Sequence, residues 1–462
     1  MRGDLAGLPA RPAVTGSSFV PRLLIVSPHF PPSNTPDMQR VRMSLPHFVA
    51  AGWEVTVLAV DDPQPGVPLE PELLETVPAV VRVVRTRCLR RRAGVGNIAL
   101  RALPFLWREG TRLVRDWRPD LVYFSTTQFA VMPLGRVWLN RFKVPYVIDL
   151  QDPWLNDYYE QPGAPRPPGG WKYRVARLNA RLLEGWTLRR CAHVISVSQG
   201  YLDSLARRYA WFTPERGSVL TFGAPEADME LARRKVGVSP PLLPAPGRRL
   251  RVAYAGRLGM DMKPALEVLF GGLAQARKEG LEIEVFFFGT SYAAAGTGES
   301  TTGALAAAAG VADLVHESSA RIPYLDSLRL LLETDIALLL GSEDAAYSPS
   351  KLYPTLLAGR PTLAIAPAGG VLEKLLGEFA DGCERISFAP GEEAMRTGAE
   401  RVAGCLHRLA QPGVKDSGLA RAGLQRHSAA AVAQAQLSVF TAAAASGQKI
   451  CATARPGGAR VS

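Results

Sequence analysis

Cysteine is scarce and scattered. The chain of 462 residues has five, Cys88, Cys191, Cys383, Cys405 and Cys451, an odd number with no Cys-x-x-Cys pair. That pattern argues against a disulfide framework and a cysteine zinc site, and a reducing cytosol fits best. Histidine is thin as well, with six residues and no cluster at metal-ligand spacing. No apolar run reaches the ~18 residues of a membrane-spanning helix; LRLLLETDIALLLG is broken by Glu333, Thr334 and Asp335. The opening MRGDLAGLPARPAVTGSS is rich in Gly, Pro and Ser and has no apolar h-region, so it does not read as a signal peptide. The expectation is a soluble or peripheral cytoplasmic protein with no metal and no cofactor.

Acidic residues are outnumbered. Lys and Arg total 54 against 42 Asp and Glu, a net charge of +12. Arginine clusters lie at Arg82 to Arg92, at Arg101, Arg108, Arg112, Arg115 and Arg118, and at Arg166 to Arg190. Such a balance suits nucleic acid, an anionic membrane or a merely solvated face. No zinc finger, aromatic RNP pattern or basic zipper accompanies it, which argues against nucleic acid. The membrane and the solvated face remain open.

At 47% hydrophobic and 21% charged, the chain can bury two ordinary cores, and its length suits two domains. Strand-like runs alternate with helical patterns: LLIVS, EVTVLAV, VVRVV, LVYFS, YVIDL and HVISVS, then RVAYAG, IEVFFFG, DLVHE, DIALLLG and TLAIA. Buried, β-branched runs separated by helices predict parallel, doubly wound sheets. FGAPEADMELARRKVGVSPPLLPAPGRRL, dense in Pro, Gly and charge, reads as the interdomain linker. The expected fold class is α/β: two Rossmann-like domains facing across a cleft, with C-terminal helices. A disordered tail is expected over 1–20, an N-terminal domain over 21–240, a C-terminal domain with Ala-rich helices over 241–445, and a tail over 446–462.

Two segments carry the densest chemistry. In AYAGRLGMDMK a strand ends at Gly256, Arg257 follows at once, and Lys263 opens a helix. In SPSKLYPTLLAGRP a turn at Ser348, Pro349 and Ser350 leads through Lys351 and Leu352 into a short helix that stops at Gly359. Each puts cations and free backbone N–H groups at the carboxyl end of a buried strand, where open α/β sheets bind ligands. Such groups suit an anionic leaving group such as a nucleotide diphosphate. Lys263 opposes the helix dipole, a poor place for a cation unless a ligand needs it. Surface residues in a turn and at a helix start are the plain alternatives for Arg257, Lys263 and Lys351.

Strand–Gly-Arg-Leu…Lys and Pro-Ser-Lys-Leu-x4-Leu-Ala-Gly-x-Pro together resemble the C-terminal signatures of retaining GT-B glycosyltransferases of family 4. RLLIVSPHFPPSNTPDMQRVRMSLPHFVAAGWEVTVLAV and RRCAHVISVSQGYLDSLARRY are similar to that family's N-terminal half, and the likeness spans roughly residues 20 to 445. The resemblance implies transfer of a sugar from a nucleotide-sugar to a glycan or lipid-linked acceptor, in cell-envelope polysaccharide synthesis. It implies a donor site from Gly256, Arg257, Lys263, Ser350, Lys351 and Leu352, with Arg257 and Lys263 clamping the diphosphate as it leaves. On the acceptor side, Arg40 or Arg42 matches the Arg after the first loop. In YVIDLQDPW, Asp149, Gln151, Asp152 and Trp154 crowd a strand tip, with Gln151 where the family often has His. Asp152 is the residue to orient or deprotonate the acceptor hydroxyl, or else a turn cap before Pro153.

The chain departs from the family at two positions. Ala346 and Pro354 stand where a Glu pair holds the donor, with Glu343 and Asp344 nearby as substitutes for one. Ser33, Asn34, Thr35 and Pro36 replace the glycines of the first loop, and His29 and His47 read as packed or exposed. Two other functions share this fold: a catalytically degenerate nucleotide-sugar-binding protein, which the lost Glu pair favours, and a nucleotide-sugar 2-epimerase, for which the chain shows no acid/base set. Activity without a metal is expected, since no Asp-x-Asp or His pair offers a site. Attachment to the inner face of the plasma membrane would be electrostatic.

Overall fold

The runs LLIV, VTVLAV and LVYF have no polar face, so they can only be central strands covered on both sides. The structure, a computed structural model, describes residues 20–63, 66–91, 96–155, 171–290, 300–343, 350–379, 383–411 and 423–453. In it, β1 (Arg22–Val26), β2 (Glu54–Asp61), β3 (Arg82–Arg87), β4 (Leu121–Ser125), β5 (Tyr146–Leu150), β6 (His193–Ser196) and β7 (Gly217–Val219) form one parallel sheet. Its order is β3-β2-β1-β4-β5-β6-β7. The connections include α1 (Pro36–Ala50), α2 (Ile98–Asp116), α3 (Pro133–Phe142), α4 (Trp171–Leu188) and α5 (Gln199–Arg208).

A second parallel sheet repeats the plan. After α6 (Glu226–Arg233) come β8 (Leu250–Ala255), α7 (Lys263–Lys278), β9 (Ile283–Phe288), α8 (Gly303–Ala308), β10 (Val315–Ser318) and α9 (Tyr324–Glu333). Then follow β11 (Ile336–Leu340), α10 (Leu352–Ala358), β12 (Thr362–Pro367), α11 (Val371–Leu376), β13 (Glu384–Phe388), α12 (Glu392–Leu409) and α13 (Ala429–Thr453). The order is β10-β9-β8-β11-β12-β13. Both sheets therefore reverse direction beside their first strand, at β1/β4 and at β8/β11, and each reversal opens a crevice at the strands' carboxyl ends. The expected fold class of two Rossmann-like units is what the chain adopts.

Three features differ from the sequence expectations. The stretch read as a linker contains α6, whose Met229, Leu231 and Ala232 are buried against Leu325, Leu328 and Leu331 of α9. Pro and charge around it masked a two-turn amphipathic helix. Second, residues 429–446 of α13 are apolar and long enough to cross a membrane, with mean hydropathy 1.2. In this fold that helix lies on the first sheet, where Ala433, Leu437 and Phe440 pack with Leu23, Ile25 and Tyr123. Alanine-rich spacing supplies length without the branched side chains that usually flag an apolar run. Third, α13 continues to Thr453, past the expected start of the tail. The tails over 1–19 and 454–462 lie outside the described residues.

Candidate active site

At the β8/β11 crevice, β8 ends on Tyr254 and Ala255, and Gly256 turns the chain with φ +138. The space at Gly256 is taken by Lys351: a Cβ there would lie 1.9 Å from both Lys351 Cε and Nζ. Only glycine permits this conformation and this approach. Lys351 precedes α10 and donates to the Tyr254 hydroxyl at 3.0 Å, its ammonium 4.8 Å from the ring centre. That hydroxyl donates to the Arg257 carbonyl at 2.9 Å, which fixes the turn. The arrangement brings a lysine from one switch-point loop onto the backbone of the other. Gly359 ends α10 at φ +67, as the sequence indicates.

Arg257 faces Asp261, with Nη2 to Oδ2 at 3.2 Å, and Ser342 at the end of β11 donates to the same Asp261 oxygen at 2.6 Å. Lys263 is the first residue of α7, half exposed, with Glu267 one turn on at 3.6 Å. Ser350 is exposed and Leu352 is fully buried as the first residue of α10. Among the described residues, the counter-ions of Arg257 and Lys263 are carboxylates of their own loop and helix, and both cations reach solvent. Ala346, Asp344, Ser348 and Pro349 lie outside the described residues; Glu343 is exposed, and Pro354 sits inside α10.

Asp261 was not singled out from the sequence, although it stands between two cations that were. It holds Arg257 where an anionic ligand would. Exposed pairs of this kind contribute about 0.2–1 kcal/mol. Asp261→Asn should therefore tighten nucleoside diphosphate binding by about two- to fivefold, measured by calorimetry. Weaker binding in that variant would mean that Asp261 aims Arg257 at the ligand instead.

The β1/β4 crevice is built differently. Asp37, the second residue of α1, is buried and accepts from the Thr126 hydroxyl at 2.7 Å and the Thr127 N–H at 3.3 Å. His29, in the loop after β1, places Nδ1 3.6 Å from Asp37 Oδ1. Burial opposes the Asp37 charge, but His29, Thr35 and Thr126 outweigh it and hold the carboxyl below its ordinary range. Asp152, at the tip of β5, behaves oppositely: surrounding protein and the nearby Asp37 charge push its carboxyl up. Trp154 stacks on Phe129 beside it, centroids 5.4 Å apart. His29 Nδ1, Gln128 Oε1 and Gln151 Oε1 are buried atoms with no hydrogen-bond partner among the described residues. Unpaired polar atoms are costly to bury, and such a group at a crevice suits a hydroxyl-rich ligand. His29 therefore belongs to this polar group, where its sequence context had marked it only as packed or exposed.

Arg40 and Asp149 do not face this crevice. Arg40 is 1% exposed and ion-paired to the fully buried Asp149 at 3.0 Å, and it donates to the Leu220 and Thr221 carbonyls at 2.7 and 3.0 Å. Asp149 accepts from Tyr123 and Ser125, and Tyr123 accepts from Gln436 of α13 at 2.9 Å. The pair ties α1, β4, β5 and the crossing helix together beneath the site, so an acceptor-contacting role for either is corrected to a supporting one. Gln151 is also buried, with Nε2 donating to the Asp37 carbonyl at 2.8 Å and to Ser125 at 2.9 Å. Arg42 is fully buried against Asp228 of α6 at 2.5 Å. His47 lies in the last turn of α1. The loop without glycines is held instead by Asn34, whose amide donates to Glu70 at 2.5 Å, while Glu70 accepts from the Tyr324 and Leu325 N–H groups that open α9.

Residues 39–223 match the glycosyl transferase 4-like domain. The chain has the GT-B fold. Solved structures agree on the fold over nearly the whole length. Sucrose-phosphate synthase from Thermosynechococcus elongatus has a TM-score of 0.57 at 15% identity, covering 94% of this chain and 100% of its own. α,α-Trehalose 6-phosphate synthase from Burkholderia multivorans gives 0.54 at 10%, covering 95% and 99%. An Anabaena protein crystallised with UDP-glucose gives 0.51 at 14%, covering 91% and 99%. No curated protein matches the sequence. In this GT-B protein the two crevices belong to the two Rossmann-like units that the fold sets against each other.

Proposed function

We propose that this GT-B protein is a retaining glycosyltransferase that moves a sugar from a nucleotide-sugar to a glycan or lipid-linked acceptor in cell-envelope polysaccharide synthesis. The observation that carries the reading is the seating of Lys351 over Gly256 beside Arg257, two cations from two switch-point loops at one strand end. The donor diphosphate lies against Arg257, Lys263 and Lys351. Charge that builds on it as the glycosidic C–O bond breaks meets cations already in place, which lowers the barrier more than it strengthens ground-state binding.

The acceptor enters at the β1/β4 crevice. Asp152 takes a hydrogen bond from the attacking hydroxyl. A carboxylate at that strand tip can orient the hydroxyl or accept its proton. The Phe129–Trp154 stack gives a sugar ring an apolar face. His29 and Gln128 offer polar atoms to its hydroxyls.

Cations supply the leaving-group stabilisation, so turnover should persist in EDTA. Nucleotide-sugar consumption in chelated and magnesium-supplemented buffer checks this. Loss of turnover in EDTA with recovery on adding magnesium or manganese would reject the clamp. A second reading, a nucleotide-sugar binder without transfer, draws on Ala346 and Pro354 in place of the family's carboxylates. Binding with neither transfer nor hydrolysis would favour it.

A further inference from the structure

The two faces of the first sheet are finished differently. On one face α13 packs beside α1, its Phe440 edge-on to Phe48 and Trp53. On the other face α2, α3 and α4 pack side by side. That layer exposes large apolar side chains: Leu100 and Trp107 on α2, and Leu178, Leu182, Leu183 and Trp186 on α4. Leu178, Leu182 and Trp186 recur every four residues and so form one stripe along α4. Leu182 is 62% exposed and Trp107 52%. Single exposed leucines need no explanation, but a stripe flanked by tryptophan does.

Charge on the same layer is one-sided. α2, α3, α4 and the two residues after it carry twelve Arg or Lys against three Asp or Glu. The one acid of α4, Glu184, is buried and paired to Arg208 at 2.7 Å. Arg108, Arg181, Arg189 and Arg190 are exposed among the apolar residues. Arg136 of α3 lies 4.4 Å from the Trp186 ring centre and steadies it.

We propose that the α2–α4 layer is a docking surface for an anionic lipid bilayer. Trp107, Trp186 and the leucines enter the headgroup region, and the arginines contact the anionic headgroups. Aromatic and aliphatic groups ringed by arginine are the composition an interfacial surface needs. A second protein copy would have to bring acidic residues to meet this charge, and the identical layer of another molecule repels it. The proposal does not depend on the donor chemistry.

Vesicle sedimentation of the full chain tests it, with pure phosphatidylcholine against equal parts phosphatidylcholine and phosphatidylglycerol. The wild type should pellet with the mixed vesicles, and binding should weaken as salt rises from 0.1 M, where the screening length is about 10 Å. Each basic residue at an anionic surface contributes roughly fivefold. Arg181→Ala/Arg189→Ala/Arg190→Ala should therefore lower binding on the order of a hundredfold. Leu182→Ala/Trp186→Ala should lower it as well, with unchanged melting temperature and unchanged turnover of soluble donor. Equal binding to neutral vesicles, salt-insensitive binding, variants that bind like the wild type, or no binding by the wild type would each overturn the proposal. So would a dimer in sedimentation velocity that Leu182→Asp disperses.

Discussion

Arg42→Ala should cost the fold about 3–5 kcal/mol, the range for stripping one partner from a buried ion pair. Arg42 of α1 and Asp228 of α6 are both fully buried, with two contacts at 2.5 and 2.6 Å. Burial opposes the Arg42 charge, yet the hydrogen bond and charge of Asp228 hold its ionisation above the ordinary value. Tyr324 of α9 donates to the same carboxylate at 2.9 Å, so the cluster joins the N-terminal unit to the C-terminal one. Removing the guanidinium leaves the buried Asp228 carboxyl with the Tyr324 phenol as its side-chain partner among the described residues. Thermal unfolding should fall by about 10 °C, taking ~2–4 °C per kcal/mol for domains of this size. Arg42→Met/Asp228→Leu should recover most of the loss, because replacing both ions removes both desolvation costs. A single change worth less than ~1 kcal/mol would show that the pair is not the joint described here.

Arg257→Ala and Lys263→Ala should each cut turnover on the order of a hundredfold while changing nucleotide affinity far less. Loss of one preorganised contact to developing charge costs ~3 kcal/mol of barrier. Arg257 is now balanced by Asp261 and Lys263 by Glu267, so neither is committed to holding the fold. Their removal should leave the unfolding transition in place, in contrast to Arg42→Ala. Asp152→Asn should also lower turnover with nucleotide binding intact, since Asp152 lies on the opposite crevice. Steady-state rates and calorimetry on the same preparations separate the effects. Equal losses in affinity and rate for Arg257→Ala would mean that it only binds.

The central strands were legible because β1, β2, β4 and β11 bury nearly every residue, and an unbroken apolar run has few other fates. The edge strands β7 and β13 were not: β7 has three residues, and β13 alternates exposed and buried positions. Strand ends, and hence Gly256 and Arg257 at the tip of β8, followed from the same pattern. What meets those ends did not. Lys351 over Gly256 and Ser342 on Asp261 depend on the β8/β11 pairing, which periodicity does not specify. Arg40 and Arg42 show the opposite failure. Two arginines in an amphipathic helix looked like ligand contacts, and each proved to have a buried carboxylate from a distant segment. The grouping of His29 and Gln128 with Gln151 lay hidden for the same reason, since the three come from separate stretches of chain.

The most direct test of the glycosyl-transfer reading is proton NMR of the sugar released when a panel of α-linked UDP-, GDP- and ADP-sugars is incubated with the protein and water as acceptor. The account predicts slow hydrolysis of one donor class with the α configuration kept in the first-formed sugar, and loss of that hydrolysis in Lys263→Ala. Release of the β anomer would contradict retention, and tight binding of a donor with no hydrolysis under any condition would contradict transfer.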